Sequence, residues 1–187
     1  LTPLQSNNIT YSVADGAGCN VPEISMNIHC SGTHTECVGH LLKDPGDIGM
    51  VLKDIIIPAV LITVNPNSFQ DVKESYHCSV MENELVITRK SIRKEFEKWK
   101  EYYPQALVIR TTPNTEDKKY YQYKNNTPPF FTNDALRYIC ESGIQHLVVD
   151  LPSIDRMSDD GILGNHRIFW GDGKKSKEAV NPDSINT

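Results

Sequence analysis

From residue 59 onward, continuous apolar runs alternate with stretches of helical period. Ala59–Val64 is apolar and largely β-branched, and Asn65-Pro66-Asn67 closes it, which predicts a strand buried on both faces. Leu85–Ile87 reads as a shorter strand. Thr88 stands at an N-cap position, and Ile92, Phe96 and Trp99 recur at i, i+4 and i+7, predicting a helix through about Lys100. Ala106–Thr111 is a second buried run. A second helix is bounded by Thr132 or Asn133 and by Gly143, with Leu136, Ile139 and Cys140 inward. Residues 146–150 form a third buried run, closed by Pro152. In the first half, Ile24, Met26 and Ile28 alternate with Ser25, Asn27 and His29, the pattern of a half-buried strand. Strands alternating with helices define an α/β class, organised as a single domain over residues 1–187.

Two stretches lack such periodicity. Residues 112–131 carry prolines, the Tyr120-Tyr121-x-Tyr123 cluster and the pair Phe130-Phe131, with few aliphatics. A connection of this length is a lid, a substrate rim or a surface insertion, and the pattern does not choose among them. Its aromatics suit a wall for a flat substrate as well as they suit core packing. Residues 171–187 are polar and read as loop. The chain starts at Leu1 rather than Met, so a piece of a longer protein, trimmed at both ends, is expected.

Hydrophobic residues at 39% and charged residues at 23% are ordinary for a globular domain. A net charge of -5, without a basic stripe interleaved with aromatics, argues against a nucleic-acid partner. The basic run 89–100 also carries Glu95 and Glu97 and reads as a solvated helix face. Residues 55–64, the longest apolar run, fall short of the ~20 residues a membrane span needs. No secretory signal opens the chain. Cys19, Cys30, Cys37, Cys78 and Cys140 form no C-x-x-C pair, so buried thiols in a reducing cytoplasm are expected.

The chemistry concentrates between residues 29 and 40, His-Cys-Ser-Gly-Thr-His-Thr-Glu-Cys-Val-Gly-His. In an extended backbone, His34, Glu36 and His40 share a face by period two; in a helix begun near Glu36, Glu36 and His40 still share one. Imidazole nitrogens and a carboxylate that converge in either geometry suit zinc, and also manganese or iron.

This segment resembles the H-x-G-T-H-x-D-x-P-x-H signature of the cyclase / kynurenine-formamidase family. Gly32, Thr33, His34 and His40 match it in identity and spacing. Glu36 stands in place of the aspartate that bridges metals, and Val38 in place of the proline. The first family histidine aligns with Cys30, so either His29 or the Cys30 thiolate is the ligand; His29 suits the neighbouring hard donors better. A second block, Asp150-Leu151-Pro152-Ser153-Ile154-Asp155 followed by His166, is similar to the family's strand-end D-T-P-S-x-D and its later ligand histidine.

The resemblance implies a swivelling β/β/α-type domain, assembled as a homodimer, with one or two divalent ions, zinc or manganese. It assigns His29, His34, Glu36 and His166 to the metal and His40 to general acid/base catalysis. Glu178, twelve residues after His166, is the candidate for the family's final glutamate ligand. Asp150, Ser153 and Asp155 would orient the histidines by hydrogen bonds. The implied activity is hydrolysis of a carbon–nitrogen bond in a small amide or lactam, with lactones also admissible, using metal-activated water. A metal-dependent cyclase or dehydratase, or a non-catalytic metal- or ligand-binding member of the fold, is the alternative.

Overall fold

A computed structural model describes residues 2–30, 32–43, 46–54, 56–123 and 126–171. The chain divides into two units, residues 1–35 and 36–187. In the first, β1 (Thr2–Pro3) pairs antiparallel with β4 (Pro22–Glu23), and β2 (Gln5–Ser6) with β3 (Ile9–Thr10). Asn7 and Asn8, at φ 50° and 63°, make the two-residue turn between β2 and β3, where asparagine tolerates the left-handed region. The strand expected over Ile24, Met26 and Ile28 does not form. Asn27 accepts the Cys30 N–H on both its side-chain oxygen (3.2 Å) and its carbonyl (3.3 Å), folding residues 28–30 into a 3-10 turn. A local side-chain bond thus displaces ladder pairing, and all three apolar residues stay exposed.

The second unit carries a short helix α1 (Ile48–Val51) and a parallel three-stranded sheet of β5 (Ala59–Val64), β8 (Ala106–Thr111) and β10 (His146–Val149), in the order β10-β8-β5. Ala59 lies opposite Ala106, and Ala106 opposite His146, so the three strands start level. A second sheet joins β6 (Asn67–Ser68), β7 (Leu85–Ile87) and β9 (Phe130–Phe131), with β6 antiparallel and β9 parallel to the central β7. Helices α2 (Arg89–Phe96), α3 (Asn133–Glu141) and α4 (Gly164–Phe169) complete the unit. The mixed α/β class expected from the alternation is the one observed.

Both long helices start where the sequence places them. Thr88 and Ser91 exchange hydrogen bonds as a capping box on α2, and Thr132 Oγ1 accepts the Ala135 N–H at the head of α3. The α-helix ends at Phe96, however, and residues 97–102 tighten into a 3-10 turn. Three residues per turn rotates the apolar face, which leaves Trp99 38% exposed.

Ile62, Val64, Leu107, Ile109, Ile87, Ile92, Phe96, Phe131, Leu136 and Ile139 form the core with Phe169 and Trp170. The strands of the parallel sheet are not buried on both faces as their composition suggests. Leu61 and Val148 are 53% and 51% exposed, while Ile62, Val64 and Ile109 on the other face are nearly inaccessible. Phe130 and Phe131 are wholly buried and serve the core, not a substrate wall, whereas Tyr120 is exposed. Among the cysteines only Cys37 is buried; Cys19 and Cys30 are exposed, and all five are free thiols. No helix among the described residues is long and apolar enough to cross a membrane.

Phe131→Ala should therefore lower the unfolding free energy by about 3–5 kcal/mol in a urea titration. Tyr120→Ala should change it by no more than about 0.5 kcal/mol.

Candidate metal centre

Within the first unit, two imidazoles stand side by side. His29 is the middle residue of its 3-10 turn, and His34 lies two residues after Gly32, whose φ of 132° lies in the region that glycine favours. The rings of His29 and His34 stand edge to face with centroids 5.0 Å apart. His34 Nδ1 is 2.9 Å from the Gly32 carbonyl, which can only accept. In the neutral ring the proton therefore sits on Nδ1 and the lone pair on Nε2, the tautomer that ligates a metal.

The second unit begins with Glu36. Cys37 and Val38, both buried, anchor the chain in the core between two polar neighbours, Glu36 and His40. Gly39 carries no side chain because a Cβ there would meet the Gly46 backbone at 2.8 Å. His40 closes the turn at the surface, its ring centroid 6.0 Å from that of His166.

His166, 6% exposed on α4, is held between two carboxylates. Its Nδ1 is 2.6 Å from Asp155 Oδ2 and its Nε2 is 2.9 Å from Glu36 Oε1. Asp155 is itself buried and saturated with donors. Its Oδ2 also accepts the His166 N–H, and its Oδ1 accepts the Asn165 N–H and the Tyr76 hydroxyl. The backbone N–H groups it takes belong to the first turn of α4, so the carboxylate caps the helix that carries the histidine. Ser153 Oγ accepts the Asp155 N–H at 3.1 Å and fixes the turn.

Burial pushes the His166 pKa down, but hydrogen bonds to Asp155 and Glu36 outweigh it and raise it to about 9. For Asp155, burial pushes upward, yet the His166 ring and the α4 N–H groups hold the carboxyl below its usual range. The donor set suits a divalent cation. A proton shared by His166 Nε2 and Glu36 marks the spot where nitrogen and carboxylate oxygen already face one positive charge.

Asp150 has different neighbours. It accepts the Thr111 N–H and hydroxyl and the Lys118 ammonium at 2.6 Å, tying the ends of β8 and β10 to the segment after Thr111. Glu178 lies outside the described residues. The sequence reading missed Tyr76, His77, Asn133, Asp159 and Asn165. His77, Asp155 and Asp159 bring ligand-type atoms within 4.8 Å of one another. His77 and Asp159 sit in aperiodic polar segments, where no local signal marks them.

The fold and centre define a mixed α/β protein in which a buried histidine stands between two carboxylates. The Cyclase family model, described as "Putative cyclase", matches residues 2–156, and the chain belongs to that family. It is similar to the kynurenine formamidase of Bacillus anthracis, 23% identical over 164 residues, and to those of Bacillus mycoides (22%) and Bacillus cytotoxicus (21%). Each match covers 88% of this chain and 66% of the relative, so the chain spans just under two thirds of the length of these relatives.

A histidine with a raised folded pKa stabilises the protein fully below its unfolded value near 6.5 and loses that contribution as pH rises through about 9. The metal-free protein should accordingly show a melting temperature that declines between pH 6.5 and 9. His166→Gln should flatten that slope in the same thermal scans.

Proposed function

We propose that the chain is the metal-binding part of a hydrolase that cleaves the carbon–nitrogen bond of a small amide, with a formamide the preferred substrate class. The observation that carries this reading is His166 clamped between Glu36 and the buried Asp155. Membership of the Cyclase family and similarity to proteins named kynurenine formamidase support it.

His29, His34, Glu36 and His166 would hold the ion, zinc or manganese, with Glu36 able to bridge a pair and Glu178 as a further ligand. The chemistry such an ion supplies is Lewis acidity and a water whose pKa falls toward about 7. Asp155 takes the Nδ1–H of His166 and so directs the Nε2 lone pair outward as a ligand. An amine leaves poorly as an anion, and His40 would pass a proton to the departing nitrogen. Its exposed turn and its 6.0 Å ring separation from His166 suit a group that exchanges protons with solvent between turnovers. Ser153 holds the backbone of Asp155, and Asp150 steadies the strand ends behind it. The resemblance further supports a homodimer acting as a single domain on a small molecule, while the cysteine usage and the charge pattern support a cytoplasmic protein without a nucleic-acid or membrane partner.

Elemental analysis of the full-length protein should find one or two zinc or manganese ions per chain, with most of that metal lost in His34→Ala. His40→Ala should keep the metal and lower kcat by about 10²–10⁴-fold in an assay of formate release from an N-formyl arylamine. Protein that holds no metal and takes none up on titration would leave a ligand-binding domain as the better account. Ring closure without formate would favour the family's cyclase chemistry instead.

A further inference from the structure

Behind Asp155, on the side away from His166 Nδ1, lies a second group of buried polar side chains that the proposed chemistry does not use. Residues 74–77 cross the heads of α2 and α3 and are tied to both. Glu74 accepts the Arg89 and Lys90 N–H groups and the Thr132 hydroxyl. Ser75 donates its N–H and hydroxyl to Asp134 and accepts the Asn133 N–H on its carbonyl. These anchors deliver Tyr76 to Asp155 and press the His77 ring against Gly164, where any Cβ would overlap the imidazole.

The proton on His77 can be located from the amides beside it. Asn165, wholly buried, directs one end of its side chain at two carbonyls, Phe131 O at 2.7 Å and Ile154 O at 2.9 Å. Carbonyls only accept, so that end is the NH2 group and Oδ1 faces the other way. There Asn133 Nδ2 donates to Asn165 Oδ1 at 2.8 Å, which fixes the Asn133 amide in turn. The same Nδ2 lies 3.1 Å from His77 Nδ1. His77 Nδ1 is therefore an acceptor, and the ring proton sits on Nε2.

That nitrogen is buried and makes no hydrogen bond among the described residues. It lies 3.6 Å from Asp159 Oδ2 and 3.9 Å from Asp155 Oδ1, between two carboxylates that are themselves almost wholly buried. A cation held by His77, Asp155 and Asp159 would need the lone pair on Nε2 and the proton on Nδ1. Two donors would then face each other across the Asn133 contact, and the amide cannot reverse without stranding Asn165. The orientation of the amides opposes a cation there and leaves an N–H dipole pointing at both acids.

We propose that His77 is a positioning residue for the candidate centre: its pinned Nε2–H dipole points between Asp155 and Asp159, beyond hydrogen-bond distance of either, and acts on both acids electrostatically. It holds Asp155 turned so that its second oxygen receives the Nδ1–H of His166. Asp159 is fixed for the same task by the Gly161 and Leu163 N–H groups. Without that N–H dipole between them, the two buried carboxylates repel more strongly, and Asp155 is the one whose displacement reaches His166. The link to metal affinity rests on the reading of His166 as a ligand, while the proton's location does not.

Long-range proton–nitrogen correlation spectra of the full-length, metal-free protein test the tautomer directly. His77 should show a protonated Nε2 and an unprotonated Nδ1, both unchanged when zinc is added to one equivalent. A protonated Nδ1, or an Nε2 resonance that moves with zinc, would make the cluster a cation site and overturn the proposal. In the metal-free protein, the hydrogen-bonded Nδ1–H resonance of His166 should be lost or shifted in His77→Leu. It should survive in His77→Gln, whose amide keeps an N–H near the Nε2 position. Zinc affinity, read by competition with a chelating dye, should fall about 10-fold in His77→Leu and recover in His77→Gln. Equal affinity and an unchanged His166 signal in a folded His77→Leu would reduce the residue to packing. A wild-type protein that binds no zinc would count against the hydrolase reading alone, because the metal-free spectra still decide the position of the proton.

Discussion

The Asp155 carboxylate is the junction on which the second unit's polar interior depends. At 2% exposure it takes the His166 ring, two backbone N–H groups of α4 and the Tyr76 hydroxyl. A carboxylate removed from water is tolerable only when its lone pairs are filled, and here the donors that fill them are also the groups that need placing. Capping α4 and orienting His166 are one act, since the same two oxygens do both. The helix cannot turn about its axis without breaking the histidine's hydrogen bond.

Charge around that junction is balanced locally. His166 sits between Glu36 and Asp155, and its ring is the positive partner of both when protonated. On the far side, Arg156 joins the buried Glu84 through Nε at 2.8 Å, while its backbone N–H donates to the Tyr76 hydroxyl. Residues 155 and 156 thus face opposite partners from adjacent positions, so the turn after Pro152 is held from two directions. The ends of the parallel sheet have their own closure, in which Lys118 bonds Asp150 and Thr111 together. That contact gives the long segment after Thr111 an anchor at the edge of the sheet and leaves Tyr120 to solvent.

Departures from the family signature are readable in the same terms. Val38, in place of the proline, packs into the core cluster and keeps the turn between Glu36 and His40 seated. Glu36, one methylene longer than aspartate, still reaches His166 Nε2 at 2.9 Å. Cys30 is exposed at the end of its turn, next to His29, whose ring meets that of His34.

How much of this was legible in the chain depends on the range of the interaction. Ala106–Thr111 as a strand, α3 between Thr132 and Gly143, and the cap at Thr88 are set by neighbours within a few residues, and composition and period recover them. The His34–Glu36–His40 spacing and the Asp155–His166 order were likewise visible, because a short signature carries them. The strand expected at residues 24–28 failed for a local reason that period alone misses, the Asn27 side-chain bond to Cys30. Burial of the parallel strands on one face only, the pairing of Asp150 with Lys118 rather than with a histidine, and the seating of Phe130 and Phe131 in the core were decided by packing. His77 is the clearest case. Its proton is located by Asn165 through Asn133, residues 88 and 56 positions away, and each link holds only because two carbonyls and two amides meet in the folded interior. The sequence by itself determined which elements form and which chemistry is available. Tertiary structure alone decided which acid faces which histidine, because buried hydrogen bonds are satisfied by proximity in space and carry no period along the chain.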